Sequence, residues 1–332
     1  MYRLIDTVFG FVNEKSPIII HTPNRKSFGD CAKDIYYGLL KAKRESKKVL
    51  FIYPRPFIFR RLGFSVINRE LFELESEYLY PSKSTYGFIG GCMLSIYALC
   101  LYILGELRSS RLRQVFHPIW PVMTELDFGF NIPRIGRSEI YKQHDINFFS
   151  WEIVKTQQWE AQHKEYSPPK IKETKLRYAE QIRLKIGIPL TDWFVCFHTR
   201  GTEANSNRNQ AIQNFIQGIK VITDAGGWVV RLGNSSMIPL PDMDKVIDYA
   251  HSELKSELMD LYLISECKFL LGISSGPYVI ANLLKKPVLL VNMTDWGASM
   301  ILKEIDLGLS LIHISEPTRP ERIAYAVFGL KK

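Results

Sequence analysis

Three short polar groups in the second half of the chain carry residue types suited to holding phosphate. His198, Thr199 and Arg200 close one apolar run (DWFVCFHTRG), and Arg231 and Gly233 close another (GWVVRLGN). Ser274, Ser275 and Gly276 end a third (KFLLGISSG) and lead into a helix opened by Pro277. Arginine presents a planar fork of donors that grips two phosphate oxygens at once. A helix start adds free backbone N–H groups and partial positive charge, and serine adds hydroxyl donors. Gathered on one edge, these groups form an anion site able to stabilise charge on departing phosphate oxygens. His198 has more than one reading: a member of that site, a packed strand-end histidine, or a residue that orients Arg200.

Chemistry that removes a proton beside such a site would need a carboxylate or an imidazole, types supplied by Asp30 in the loop TPNRKSFGD, by His21 and by Glu253. The other reading of Asp30 is the N-cap of the helix that starts there, a position aspartate favours. His251 and Glu253 in YAHSELKS have the types to contact a ribose or a base, and Ser252 either joins them or caps the following helix. Asp242 and Asp244 stand one residue apart in a proline-flanked loop, which reads as solvated surface. No metal site and no cofactor are therefore expected.

The elements that must position these residues alternate in kind. PIIIH, DCAKDIYYGLLKAKRES and KKVLFIYP read as strand, helix and strand, a unit that implies a parallel sheet. In the second half DWFVCFH, NQAIQNFIQGIKVITDAG, GWVVRLGN, VIDYAHSE, ELMDLYLISECK, KFLLGISSG, PYVIANLLKK and PVLLVN alternate throughout. This predicts a doubly wound parallel sheet with ligands at the carboxyl ends of its strands.

The 332 residues, 46% of them hydrophobic, are enough for two cores. Domains are expected over 1–167 and 190–308, joined by a charged, proline-interrupted connection at 168–189. The segment from 309 to 332 (from LSLIHISEPTRP onward) reads as a non-native tail resembling sequencing-adapter read-through, or else as an ordinary closing helix. Five scattered cysteines fit reduced, buried thiols in a reducing compartment. The net charge of +9 favours anionic partners. Nucleic acid is not among those expected, because the basic residues are dispersed instead of alternating with aromatics. The start of the chain carries no secretion signal, so a cytoplasmic location is expected.

The uncharged run from Tyr86 to Gly105, followed by RSSRLR, has the length of a membrane span. Its tyrosines, glycines and serine equally suit a core helix or one lying in the membrane plane, which would make the protein peripheral at the inner face of the plasma membrane.

FVCFHTRG, GGWVVRLGN, VIDYAHSELKS and FLLGISSGPYVIANLLKKPVLLVN together resemble a family of bacterial glycosyltransferases of surface-polysaccharide biosynthesis. The His-x-Arg element is similar to that of the α-1,6- and protein O-fucosyltransferases. Phe28-Gly29-Asp30 is similar to the Gly-Asp turn of lipopolysaccharide heptosyltransferases, whose aspartate is the candidate general base, which implies Asp30 as the first choice of base for an inverting transfer, with His21 and Glu253 next. The resemblance implies a GT-B fold: two Rossmann-like doubly wound α/β domains facing a cleft, with the donor held mainly by the second. It also implies a nucleotide-sugar donor, a glycan or undecaprenyl-linked acceptor, inverting metal-independent transfer, and Arg200 on the donor β-phosphate. Gly201-Thr202-Glu203 departs from the Gly-Asp ending of some relatives and leaves the donor open. The competing reading is a non-catalytic nucleotide-sugar-binding scaffold, which would keep the phosphate site and lack the base.

Overall fold

A computed structural model describes residues 16–21, 23, 28–53, 67–93, 95–96, 167–199, 212–293 and 306–310. The chain divides into two compact units, Met1–Ile146 and Asn147–Lys332. Each is mixed α/β and built on a parallel sheet.

In the first unit, β1 (Ile18–His21), β2 (Lys48–Phe51) and β3 (Leu79–Tyr80) pair in chain order. Helix α1 (Phe28–Arg44) connects the first two. The helix is buried along most of its length: Cys31, Ala32, Ile35, Tyr36, Leu39, Leu40 and Ala42 are covered, and so are the polar Lys33, Asp34 and Lys41. Each large apolar side chain buried this way contributes about 1.5–3 kcal/mol. The β1–α1–β2 order agrees with the sequence reading, but the helix starts at Phe28. Asp30 therefore sits inside its first turn and not at its cap, where its charge complements the positive helix end.

A further helical segment spans 85–93 and so takes in the start of the Tyr86–Gly105 run. Small residues Gly87, Gly91 and Ser95 are buried, while Tyr86, Ile89, Met93 and Ile96 are exposed. Among the described residues, no helix is long and apolar enough to cross a membrane; 97–105 and the basic stretch after them lie outside those residues.

Among the described residues, the second unit contains in order α2 (Glu173–Ile186), β4 (Phe194–His198), α3 (Gln213–Asp224), β5 (Trp228–Arg231), β6 (Val246–Ile247), α4 (Glu257–Glu266), β7 (Leu270–Gly272), α5 (Gly276–Leu283), β8 (Val288–Met293) and β9 (Leu307–Ser310). Residues 168–189, read from sequence as a connection, thus contain a helix. It is fastened to the sheet by Arg183, which donates to the carbonyls of Pro189 (2.6 Å) and Asp192 (2.5 Å) and stacks over Phe194. Pro168 and Pro169 precede that helix and do not interrupt it.

All six strands are parallel, in the order β6-β5-β4-β7-β8-β9. Renumbered within the unit this is 3-2-1-4-5-6, the Rossmann order, in which winding reverses between β4 and β7. The two central strands are buried along their whole length, which is why they read as unbroken apolar runs. Val195, Phe197 and Val229 pack against Phe215, Ile219 and Ile222 of α3. The last strand crosses the boundary drawn at 309, since Leu309 and Ser310 belong to β9; residues 311–332 lie outside the described residues.

Candidate functional site

Parallel open sheets leave a crevice at the carboxyl ends of the strands where winding reverses, because the flanking connections run to opposite faces there. In the second unit that point lies between His198 and Gly272, which are register partners on β4 and β7. Two of the three polar groups singled out in the sequence, His198-Thr199 and Ser274 to Gly276, begin at this point. The third, at Arg231, follows the neighbouring strand. Arg200 itself is outside the described residues, one position beyond Thr199.

His198 is buried, and its Nδ1 lies 3.0 Å from the Leu232 carbonyl oxygen. A carbonyl only accepts, so Nδ1 carries the proton and donates. With Leu232 N–H donating to the Phe197 oxygen and Ile273 N–H to the His198 oxygen, the end of β4 is tied to both neighbours. His198 is therefore a packed strand-end residue that braces the carboxyl end of β4. Gly272 permits this closeness: a Cβ at that position would run into the backbone oxygen of His198. Gly272→Ala is expected to cost about 1–3 kcal/mol through overpacking, measurable as a lower urea midpoint at unchanged slope.

Ser275 occupies the N-cap position of α5 with extended backbone, and its hydroxyl donates to the Ile273 carbonyl (3.1 Å). The hydroxyl thus holds the turn and makes no capping hydrogen bond to the helix. Pro277 lies in the first turn, as the sequence indicated, and the N-terminal end of α5 faces the reversal point with its partial positive charge.

Arg231 is put to a different use from the phosphate contact expected of it. Its side chain is only 3% exposed. One terminal nitrogen donates to the Ile238 carbonyl (2.6 Å) and to Asp248 Oδ2 (3.2 Å). That nitrogen fastens the segment after β5 and the end of β6 to the Arg231 side chain, while the guanidinium Nε is buried with no hydrogen-bond partner among the described residues. Gly233 serves the same loop with φ +154, and a Cβ there would strike the Met237 sulfur.

Asp248 is the residue that sequence reasoning passed over. Besides Arg231 it accepts from Leu240 N–H (2.9 Å) and faces His251 Nδ1 at 2.9 Å. The only signal in the sequence was an aspartate closing the short strand in VID, and its partners are brought in by folding from as far back as β5.

Ser252 and Glu253 follow His251 at the surface. Ser252 does not cap the next helix: its hydroxyl accepts from Leu254 N–H (3.1 Å), and Ser256 caps α4 by accepting from Met259 N–H (3.2 Å). Below them, burial pushes the Asp260 carboxyl up, against the opposing pull of Lys255 at 2.6 Å. Burial likewise pushes the Tyr249 hydroxyl up, with the Asp260 charge adding to it.

In the first unit, His21 ends β1 buried, with its ring edge-on to Phe51 at 5.8 Å. Packing in this way removes it from contact with a dissolved hydroxyl. Asp30 is half-buried in the first turn of α1. Asp242 and Asp244 are exposed, and among the described residues no cluster of three His, Cys, Asp or Glu could hold a metal ion. Cys31, Cys196 and Cys267 are buried free thiols, and Cys92 is half-buried. Burial pushes the Cys196 thiol well up, as fits an inert core group.

No protein-family model matches the chain, and no curated protein matches it. Among solved structures it is similar to the glycosyl transferase family 9 from Veillonella parvula, at 13% identity over 94% of this chain and 89% of that one, with a TM-score of 0.47. It is also similar to E. coli ADP-heptose lps heptosyltransferase II, at 14% identity over 94% of this chain and 98% of that one, TM-score 0.45. A third is the Methanocaldococcus jannaschii UDP-GlcNAc 2-epimerase in complex with UDP-GlcNAc and UDP, at 13% identity, 99% and 74% coverage and TM-score 0.31. Likenesses of this strength assign no role to any residue of this chain.

Proposed function

We propose that the protein is a glycosyltransferase of the GT-B kind, moving a sugar from a nucleoside-diphosphate donor to a saccharide or lipid-linked acceptor in surface-polysaccharide synthesis. The observation that carries this reading is the 3-2-1-4-5-6 parallel sheet of the second unit, with His198-Thr199 and the Ser274–Gly276 turn at its winding reversal and Arg200 next in sequence. The resemblance of the same stretches to polysaccharide glycosyltransferases names the ligand that such an edge would take.

In the reaction, the bond from the sugar's anomeric carbon to the β-phosphate oxygen breaks, and the electron pair leaves with the nucleoside diphosphate. The acceptor oxygen forms the new bond to that carbon and gives its proton to a base, for which Asp30 is our choice. Arg200, the Ser274 and Ser275 turn and the α5 N-terminus stabilise the leaving diphosphate. Arg231 holds the fold of the donor unit and His198 braces its central edge.

The test is a binding screen of the full 332-residue chain against UDP, GDP, ADP, CDP and dTDP. The full chain is required because a cut at 308 would divide β9. One diphosphate should raise the melting temperature at concentrations well above its Kd, and Arg200→Ala should remove at least tenfold of that affinity, the scale of one charge-assisted contact. Absence of binding by every diphosphate would sink the donor-site reading.

A further inference from the structure

The loop from Asp248 to Ser256 leaves the carboxyl end of β6, on the same sheet edge as the phosphate site. Both of its ends are locked into the unit. Asp248 is bound by Arg231 and by Leu240 N–H. Tyr249 is fully buried, its hydroxyl accepts from Ser256 N–H (3.0 Å), and Lys255 lies over its ring at 5.0 Å while pairing with Asp260. Between these anchors the residues on display are His251, Ser252 and Glu253. A polar tip on a braced loop is the arrangement by which a rigid scaffold presents ligand contacts.

His251 is the oriented member of that tip. Nδ1 meets Asp248 Oδ2 at 2.9 Å, and the side chain remains 27% exposed. A carboxylate acceptor puts the proton of the neutral ring on Nδ1, which leaves the Nε2 lone pair as an acceptor. Nε2 has no partner among the described residues. What it lacks is a donor, and nucleoside diphosphates of any base carry such donors in their ribose hydroxyls.

The distances fit. Strands lie ~4.8 Å apart, so the end of β6 stands roughly 10 Å from that of β4 and roughly 14 Å from that of β7. A diphosphate on the α5 N-terminus would extend its nucleoside back along the edge toward β6.

We propose that Asp248 and His251 form the nucleoside end of the donor site, with His251 Nε2 accepting from a ribose hydroxyl and Asp248 fixing the tautomer as a positioning residue. This rests on the donor-site reading above and extends it to residues outside the phosphate site.

The experiment is a ligand–protein double-mutant cycle by calorimetry on the full chain. It uses whichever of UDP, GDP or ADP binds, together with the 2′,3′-dideoxy form of that nucleotide. Wild type should bind the dideoxy form about tenfold more weakly, the scale of one lost hydrogen bond. His251→Ala should lose about tenfold toward the ribonucleotide and bind the two forms equally. His251→Gln should restore part of the preference, because its amide oxygen is an acceptor. Asp248→Asn should reduce the preference while keeping dideoxy binding. The inference is overturned if His251→Ala weakens both forms by the same factor or neither form at all. Wild type that binds no diphosphate would instead overturn the donor site as a whole, so the two failures are distinguishable.

Discussion

Asp30→Asn is expected to lower sugar transfer by about 10²- to 10⁴-fold while leaving donor affinity within twofold of wild type. Asparagine keeps the shape of aspartate and removes its capacity to take a proton. The competing role for this side chain is electrostatic. Asp30 lies in the first turn of α1, where a negative charge stabilises a helix by about 0.3–1 kcal/mol. That contribution appears in a denaturation midpoint and does not appear in turnover. A paired measurement, initial rates at saturating donor alongside urea unfolding, separates the two. Turnover equal to wild type with a small fall in stability would make Asp30 a helix-terminal charge and move the search for a base elsewhere, to the scaffold reading if none is found. Donor hydrolysis in the absence of acceptor is a useful control, because it depends on the diphosphate site and is insensitive to how the acceptor is activated.

The second large effect is on stability. Arg231→Ala is expected to destabilise the protein by about 1–3 kcal/mol, the cost of removing one side of a charge-assisted hydrogen bond whose other partner is half-buried. Its guanidinium is all but inaccessible, and its partner Asp248 is itself the acceptor for Leu240 N–H and the neighbour of His251. Removing it releases the 232–248 loop, so amide exchange should accelerate there before the β4 and β7 strands are affected. A direct phosphate contact would behave in the opposite way, with weaker diphosphate binding at nearly unchanged stability. Calorimetric binding beside a chemical denaturation curve decides between them, and the geometry favours the stability loss.

Arg231 also shows where sequence reasoning reaches its limit. From sequence, Arg200 and Arg231 are the same object: an arginine at the end of an apolar strand in an alternating pattern. Nothing local tells a guanidinium aimed at a ligand from one aimed at an aspartate seventeen residues on. Asp248 was overlooked for the same reason, since its value lies in three partners drawn from separate segments. The N-cap reading of Asp30 and the capping role offered to Ser252 failed on another ground. Helix ends are set by small differences between competing side chains, and here Phe28 begins one helix while Ser256 caps the other.

The alternation of strands and helices was legible because it rests on period and burial. Runs such as FVCFH are apolar up to the closing histidine, as strands covered on both faces must be, and α3 repeats its buried residues every three or four positions. Sequence therefore determined the α/β class, the parallel sheet and the polar groups at the strand ends. The order β6-β5-β4-β7-β8-β9 was decided by tertiary structure, because pairing between non-consecutive strands leaves no periodic trace in the chain. That order places His198 beside Gly272 and the α5 turn, and sends the buried Arg231 into an ion pair with the half-buried Asp248. Composition supplied the chemistry available, and only the contacts between distant segments divided it into groups that hold the fold and groups left to meet a ligand.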